Sequence, residues 1–174
     1  MKYTTKDLTN IALIAASYAV VSLVLAPISF GNIQIRIAEV LTLLPLIYKP
    51  SIYGVTLGCF LTNLIGAMMG INILGFLDIF IGTLATFLAA LGTYYFKDKT
   101  IKNIPLISMI FPVLLNGIFI GTELAFVLMP NNLMLGIIIF GLEVAIGQLI
   151  AVIVGYFIIN AMKKNKIFEN NKVR

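Results

Sequence analysis

Four carboxylates lie inside the apolar stretches of this chain: Glu39, Asp78, Glu123 and Glu143. A charged side chain at membrane depth costs at least about 2.5 kcal/mol on insertion scales, so such groups pair or face a cavity. Arg36 stands three residues before Glu39, and an i,i+3 pair can form on one helical face. Three acids then remain with no further cation inside the runs. Asn63, Asn116 and Gln148 add neutral polar groups at middle depths on three further stretches. Ionised carboxylates only accept hydrogen bonds, so the set points to a ligand that is cationic or rich in N–H donors. A purely structural alternative, in which an acid is protonated or hydrogen-bonded and joins helices, stays open for any one of them.

The missing residues narrow the chemistry further. There is no histidine, which excludes His-ligated zinc sites and His-based triads. No GxxxxGK[ST] loop is present, so the chain cannot power transport by hydrolysing ATP itself. Asp78 is the only aspartate at membrane depth, one short of an aspartyl protease pair. The lone cysteine, Cys59, permits no intramolecular disulfide and reads as a small packing residue. Catalysis, a cofactor and a metal are therefore not expected. Three readings survive: a binding component of an importer, a self-sufficient transporter whose buried acids relay protons, and, last, a membrane enzyme acting on a small amphiphile.

The elements that must hold these residues are membrane helices. Of 174 residues, 60% are hydrophobic and only 11% charged, with a mean hydropathy of +1.06, too little polar surface for a soluble globule. Runs of roughly 20 apolar residues suit helices crossing about 30 Å of hydrocarbon, and no alternation of period two suggests a barrel. The expectation is one all-α domain over residues 1–174, a compact bundle of six transmembrane helices. Its spans are 8–30, 36–48, 51–69, 73–96, 104–129 and 133–162. The first is span length and reads as retained, not as a signal peptide. The second is too short to cross alone and is interrupted by Pro45, so it should be tilted, broken or shielded by its neighbours.

Charge then orients the bundle. With six spans, Lys2, Lys6, Lys49, Lys97, Lys99, Lys102, Lys163, Lys164, Lys166, Lys172 and Arg174 all fall on one face, leaving only Arg36 opposite. The positive-inside rule places that face, and both termini, in the cytoplasm. Tyr48, Tyr53, Tyr94, Tyr95 and Tyr156 cluster near the inner ends as an interfacial belt. The basic residues read as an orientation signal with no ligand role, and no nucleic-acid partner is expected. The acids lie toward the outer side. Glu39 is near the outer start of its span, Asp78 a little deeper, Glu123 about 9 Å below the outer end and Glu143 about 15 Å down. Polarity thus converges on an outward-opening cavity.

Small residues form a second constellation. Ala12, Ala15, Ala19, Ser22 and Ala26, with Ala16 beside them, follow at three- and four-residue steps and make a smooth stripe for close helix contact. The stripe fits packing within the chain or docking of a partner. Gly54/Gly58, Gly66/Gly70 and Gly117/Gly121 repeat the spacing and suit internal packing.

The stretch Gln34-Ile35-Arg36-Ile37-Ala38-Glu39-Val40-Leu41, running to Leu44-Pro45, then Gly58 to Asn63, then Leu77-Asp78-Ile79-Phe80-Ile81-Gly82-Thr83-Leu84-Ala85-Thr86, resembles the QueT family. These are substrate-binding (S) components of energy-coupling factor (ECF) transporters, associated with import of queuosine precursors. The resemblance implies a six-helix protein that takes a 7-deazaguanine-type base or nucleoside from outside. It further implies association with a transmembrane coupling subunit and two cytoplasmic ATPases, and reorientation in the membrane to release cargo. An Ala-x-x-x-Ala motif on the first span contacts the coupling subunit in that class, and Ala12/Ala16 and Ala15/Ala19 both match it. For such a ligand, Glu143 and Glu123 would receive the N–H edge of the base and a cationic aminomethyl group, in either order. Asp78, Glu39 and Asn63 would complete the pocket, Arg36 would be the partner of Glu39, and Asn116 and Gln148 would read carbonyl and ring nitrogens. Phe30, Phe76 and Phe140 are placed to stack on a flat ring or to pack the core.

Overall fold

The computed structural model describes residues 3–30, 36–165 and 168, and its regular elements there are all helical. Gln34 and Ile35 of the motif above, and Lys2, Lys166, Lys172 and Arg174 of the basic set, lie outside the described residues. The helices are α1 (Thr5–Val24), the short α2 (Ala26–Ser29), α3 (Ser51–Met68), α4 (Leu77–Tyr95), α5 (Leu106–Leu128) and α6 (Leu133–Lys164). A 3₁₀ segment, Ile37–Leu46, runs between α2 and α3, and a 3₁₀ turn, Pro130–Asn132, leads into α6.

Local chemistry explains the boundaries. Thr4 opens α1 with a capping box: its hydroxyl accepts from the Asp7 N–H at 3.2 Å, and the Asp7 carboxylate accepts from the Thr4 N–H at 3.0 Å. Pro27 in the first turn of α2 supplies no N–H, which suits a fresh helix start after Leu25. Between α3 and α4 the chain turns at Gly70 (φ +68°) and Gly75 (φ +63°), left-handed positions that side chains rarely adopt.

Among the described residues, five helices are long and apolar enough to cross a membrane. The expected second span, 36–48, is the 3₁₀ segment. Ten residues at about 2 Å each cover roughly 20 Å, short of the hydrocarbon thickness. Pro45 lacks an N–H, and the Thr42 hydroxyl donates back to the Glu39 carbonyl at 2.6 Å, taking an acceptor that a continuing α-helix would use. Eight of its ten residues are buried, so the irregular backbone is shielded by protein. Helix α6 supplies part of the cover: a Cβ on Gly155 would sit 2.8 Å from the Val40 carbonyl oxygen, so only glycine allows that approach.

Glycines also set the other close helix contacts. At Gly54 and Gly58 of α3, a Cβ would meet Ile14 at 2.8 Å and Tyr18 at 2.6 Å, which seats α1 directly on α3. Gly117 of α5 faces the Gly141 carbonyl of α6 in the same way. Gly66 lies against the Phe30 ring, whereas Gly70 serves the turn.

Three contacts bring helix ends together. The Tyr48 hydroxyl donates to Asp7 at 2.7 Å, Lys49 and Lys97 both lie over the Tyr94 ring, and Leu13, Leu44 and Met162 line one cavity. The start of α1, the end of the 3₁₀ segment, the end of α4 and the end of α6 therefore share one end of the bundle. The opposite end holds Phe30, the 69–76 turn and the start of α4.

Candidate functional site

Two buried carboxylates organise the interior. Asp78, in the first turn of α4 and fully buried, forms an ion pair with the Arg36 guanidinium. The same carboxylate oxygen accepts from the Asn72 amide at 2.9 Å, and Asn72 also accepts the Leu74 N–H at 3.0 Å, so the turn before α4 presents Asn72 to the pair. The Asn63 amide of α3 donates to the Asp78 carbonyl at 2.7 Å. Gly82, one turn along α4, makes room for this arrangement: a Cβ there would strike the Asp78 carboxylate and lie 2.8 Å from the Asn63 amide. The Arg36 guanidinium also lies over the Phe30 ring, 5.5 Å from its centroid.

Glu39, 1% exposed, is the second centre. One carboxylate oxygen accepts from the Tyr18 hydroxyl of α1 and from the Thr86 hydroxyl of α4 at 3.3 Å. The other accepts from the Asn116 amide of α5 at 3.5 Å and the Gln148 amide of α6 at 3.3 Å. Four neutral donors from four helices thus converge on one acid. Cys59 joins the two centres, its sulfur facing the Arg36 guanidinium at 3.8 Å, the Asn63 amide at 3.5 Å and the Thr86 hydroxyl at 3.3 Å.

The expected pairing of Arg36 with Glu39 is corrected here. Arg36 precedes the 3₁₀ segment with extended backbone (φ −82°, ψ 94°), so helical i,i+3 geometry does not apply and its side chain turns toward α4. The expected outward-opening cavity is also closed at this point. Arg36, Glu39, Asn116, Ile120, Val144 and Gln148 surround a void of about 10 Å³, the room one water needs. In the same cluster the Arg36 Nε, the Asn63 Oδ1 and one oxygen of Asp78 are buried with no hydrogen-bond partner among the described residues. A donor- and acceptor-rich ligand could satisfy all three, given movement of the side chains that now fill the space.

Of the eight polar residues expected in the site, six meet in this cluster: Arg36, Glu39, Asn63, Asp78, Asn116 and Gln148. The other two, which the sequence favoured most, stand apart. Glu123 is 3% exposed, and neither carboxyl oxygen has a partner among the described residues. The residue borders an open apolar groove between α4 and α5, and its carboxyl is within electrostatic reach of Asp78 and Arg36. Glu143 is half-buried at the edge of the inward face of α6, with no hydrogen bond or ion pair among the described residues. Of the aromatic candidates, Phe30 is buried under Arg36, Phe140 packs beside Ile120 and Val144, and Phe76 is exposed.

The small-residue stripe divides. Ala15 and Ala19 are buried, with α1 seated on α3 through Gly54 and Gly58, and are not available to a partner in this conformation. Ala12 and Ala16 are exposed on the outer face of α1.

Four residues of the cluster were not expected in the site: Tyr18, Cys59, Asn72 and Thr86. Two carried a usable signal. Thr86 follows Asp78 at i+8 and Cys59 precedes Asn63 at i,i+4, so each shares a helical face with a recognised polar residue. Tyr18 and Asn72 enter through tertiary packing and a turn, which spacing does not report.

A family model described as the QueT transporter matches residues 8–164. Among curated proteins, the Queuosine precursor transporter QueT of Lactococcus lactis subsp. cremoris (strain MG1363) is 32% identical over 87 residues. That alignment takes in 49% of this chain and 47% of the relative, so the chain spans about half the length of the curated relative it matches. No solved structure matches.

Proposed function

The chain belongs to the QueT transporter family, and as a multi-pass membrane protein of that family we propose that it captures a queuosine precursor from outside the cell as the substrate-binding component of an ECF-type importer. The observation that carries this reading is the shell of Glu39. A buried carboxylate held by four neutral donors from α1, α4, α5 and α6 can exchange them for the N–H edge of a 7-deazaguanine-type base. Exchange of Asn116 and Gln148, which share one oxygen of Glu39, would also loosen α5 and α6 around the ligand. The Arg36–Asp78 pair and Asn63 then offer donors and acceptors to the carbonyl and ring nitrogens. Glu123 and Glu143 flank this centre.

The basic end of the bundle faces the cytoplasm in this reading, because Lys6, Lys49, Lys97, Lys99, Lys102, Lys163 and Lys164 gather there. Transport power comes from partners: a transmembrane coupling subunit and two cytoplasmic ATPases, since the chain carries no nucleotide-binding loop. Ala12 and Ala16, small and exposed on α1, suit close approach of a coupling-subunit helix.

Calorimetric titration of the purified chain with 7-aminomethyl-7-deazaguanine, its nitrile analogue and queuine tests the substrate, and uptake with and without the coupling subunit and ATPases tests the partnership. Low-micromolar or tighter binding to at least one compound, with uptake only when the partners are present, is expected. Failure to bind all three overturns the substrate assignment. Uptake by the chain alone in liposomes under a pH gradient overturns the partnership.

A further inference from the structure

We infer that Glu123 is a charge-reading subsite, taking an ammonium group on a short arm of the substrate while the base itself lies at Glu39. This deepens, and rests on, the transport reading above. Both Glu123 oxygens are buried with no partner among the described residues, although polar groups taken from water are normally hydrogen-bonded. Glu123 borders an apolar groove between α4 and α5, beside Leu77, Ile81, Ile118, Phe119 and Phe126, and its carboxyl oxygens contribute no surface to that groove, so they stay enclosed by protein. An ammonium group on a short arm would bring this enclosed carboxylate the N–H donors it lacks. A neutral arm would leave the acid unsatisfied.

Helix geometry links the two subsites. Glu123 follows Asn116 by seven residues on α5, two turns on the same face and about 10 Å along the axis. Asn116 touches Glu39, and Leu77 of the groove is the chain neighbour of Asp78. A fused two-ring base held at Glu39 therefore directs a substituent on its far side along α5 toward Glu123. Glu143 on α6 is only half-buried, whereas both Glu123 oxygens are fully enclosed.

The test is the ratio of two affinities, that for 7-aminomethyl-7-deazaguanine over that for the 7-cyano analogue, measured by calorimetry on the full chain and on Glu123→Gln. The wild type is expected to favour the amine roughly tenfold or more, as a charge-assisted hydrogen bond allows, and Glu123→Gln to bring the ratio close to one. A wild-type ratio near one, or a ratio that Glu123→Gln leaves unchanged, overturns the inference while the transport reading stands. Binding of neither compound by the wild type overturns the transport reading for these bases, and the inference with it. Should Glu123→Gln bind neither, Glu123→Asp decides: a regained amine preference supports the subsite, and a second loss of both ligands overturns it.

Discussion

Arg36 is joined to Asp78, forty-two positions along the chain, and not to Glu39, three positions away. The consequence falls on Glu39. With the guanidinium committed to α4, the hydrogen bonds to the Glu39 carboxylate among the described residues all come from neutral donors. The interior thus separates a paired charge, which fixes the 3₁₀ segment against α4, from a solvated-like acid whose donors can be exchanged.

Breaking the buried pair on one side should cost more than removing it altogether. Arg36→Ala or Asp78→Ala leaves one uncompensated buried charge, for which about 3–5 kcal/mol is expected. Arg36→Met with Asp78→Leu removes both charges and should recover a large part of that loss, without recovering ligand binding. Thermal unfolding in detergent, with a binding assay beside it, checks both halves. Strictly additive losses in the double variant would show that the pair contributes nothing as a unit.

Position along each helix was legible in the sequence, whereas rotation and partner choice were not. Six of the eight polar residues expected in the site meet in the cluster, because runs bounded by charges and turns reveal how far along a helix a residue sits. The favoured Glu143 is only half-buried, since α6 is apolar nearly all round and its pattern does not say which side faces in. The same ambiguity merged Ala12 and Ala16 with Ala15 and Ala19, although adjacent residues lie about 100° apart around a helix. The run 36–48 read as a tilted or broken span, and Pro45 was a fair warning. Its 3₁₀ geometry depends on the Thr42 back-bond and on cover from α6, neither of which apolar periodicity encodes.

Gly82→Ala should damage the site from one turn away. The added methyl has to displace the Asp78 carboxylate and press on the Asn63 amide. A loss of about 1–3 kcal/mol is expected from overpacking, with ligand affinity falling as the Arg36–Asp78 pair shifts. Gly117→Ala meets its neighbours at 3.2 Å or more and is the milder control. If Gly82→Ala binds ligand as tightly as the wild type, the Asp78 centre is structural only.

On α1, neighbouring alanines should behave oppositely. Ala16 is exposed, so Ala16→Trp should leave folding and ligand binding intact while blocking uptake in cells that supply the coupling subunit and ATPases. Ala15 is 2% exposed, and Ala15→Trp should instead lower the unfolding temperature, because it forces α1 away from α3. Normal uptake by Ala16→Trp would remove this face of α1 from the docking surface.

The donors to Glu39 should rank in cost by how fully each is committed. The Tyr18 phenol is completely buried and gives its one proton to Glu39, so Tyr18→Phe strips the carboxylate of an undivided donor. About 1–3 kcal/mol is expected, the cost of a charged group left short of a hydrogen bond. Thr86 has one hydroxyl proton to divide between Glu39 and the Cys59 sulfur, both 3.3 Å away, so Thr86→Val should fall at or below the low end of that range. Unfolding temperatures of the two variants, measured without ligand, give the comparison directly. Equal losses would mean that the four donors share the carboxylate evenly, and that exchange for a ligand's N–H edge is as costly at α1 as at α5 and α6.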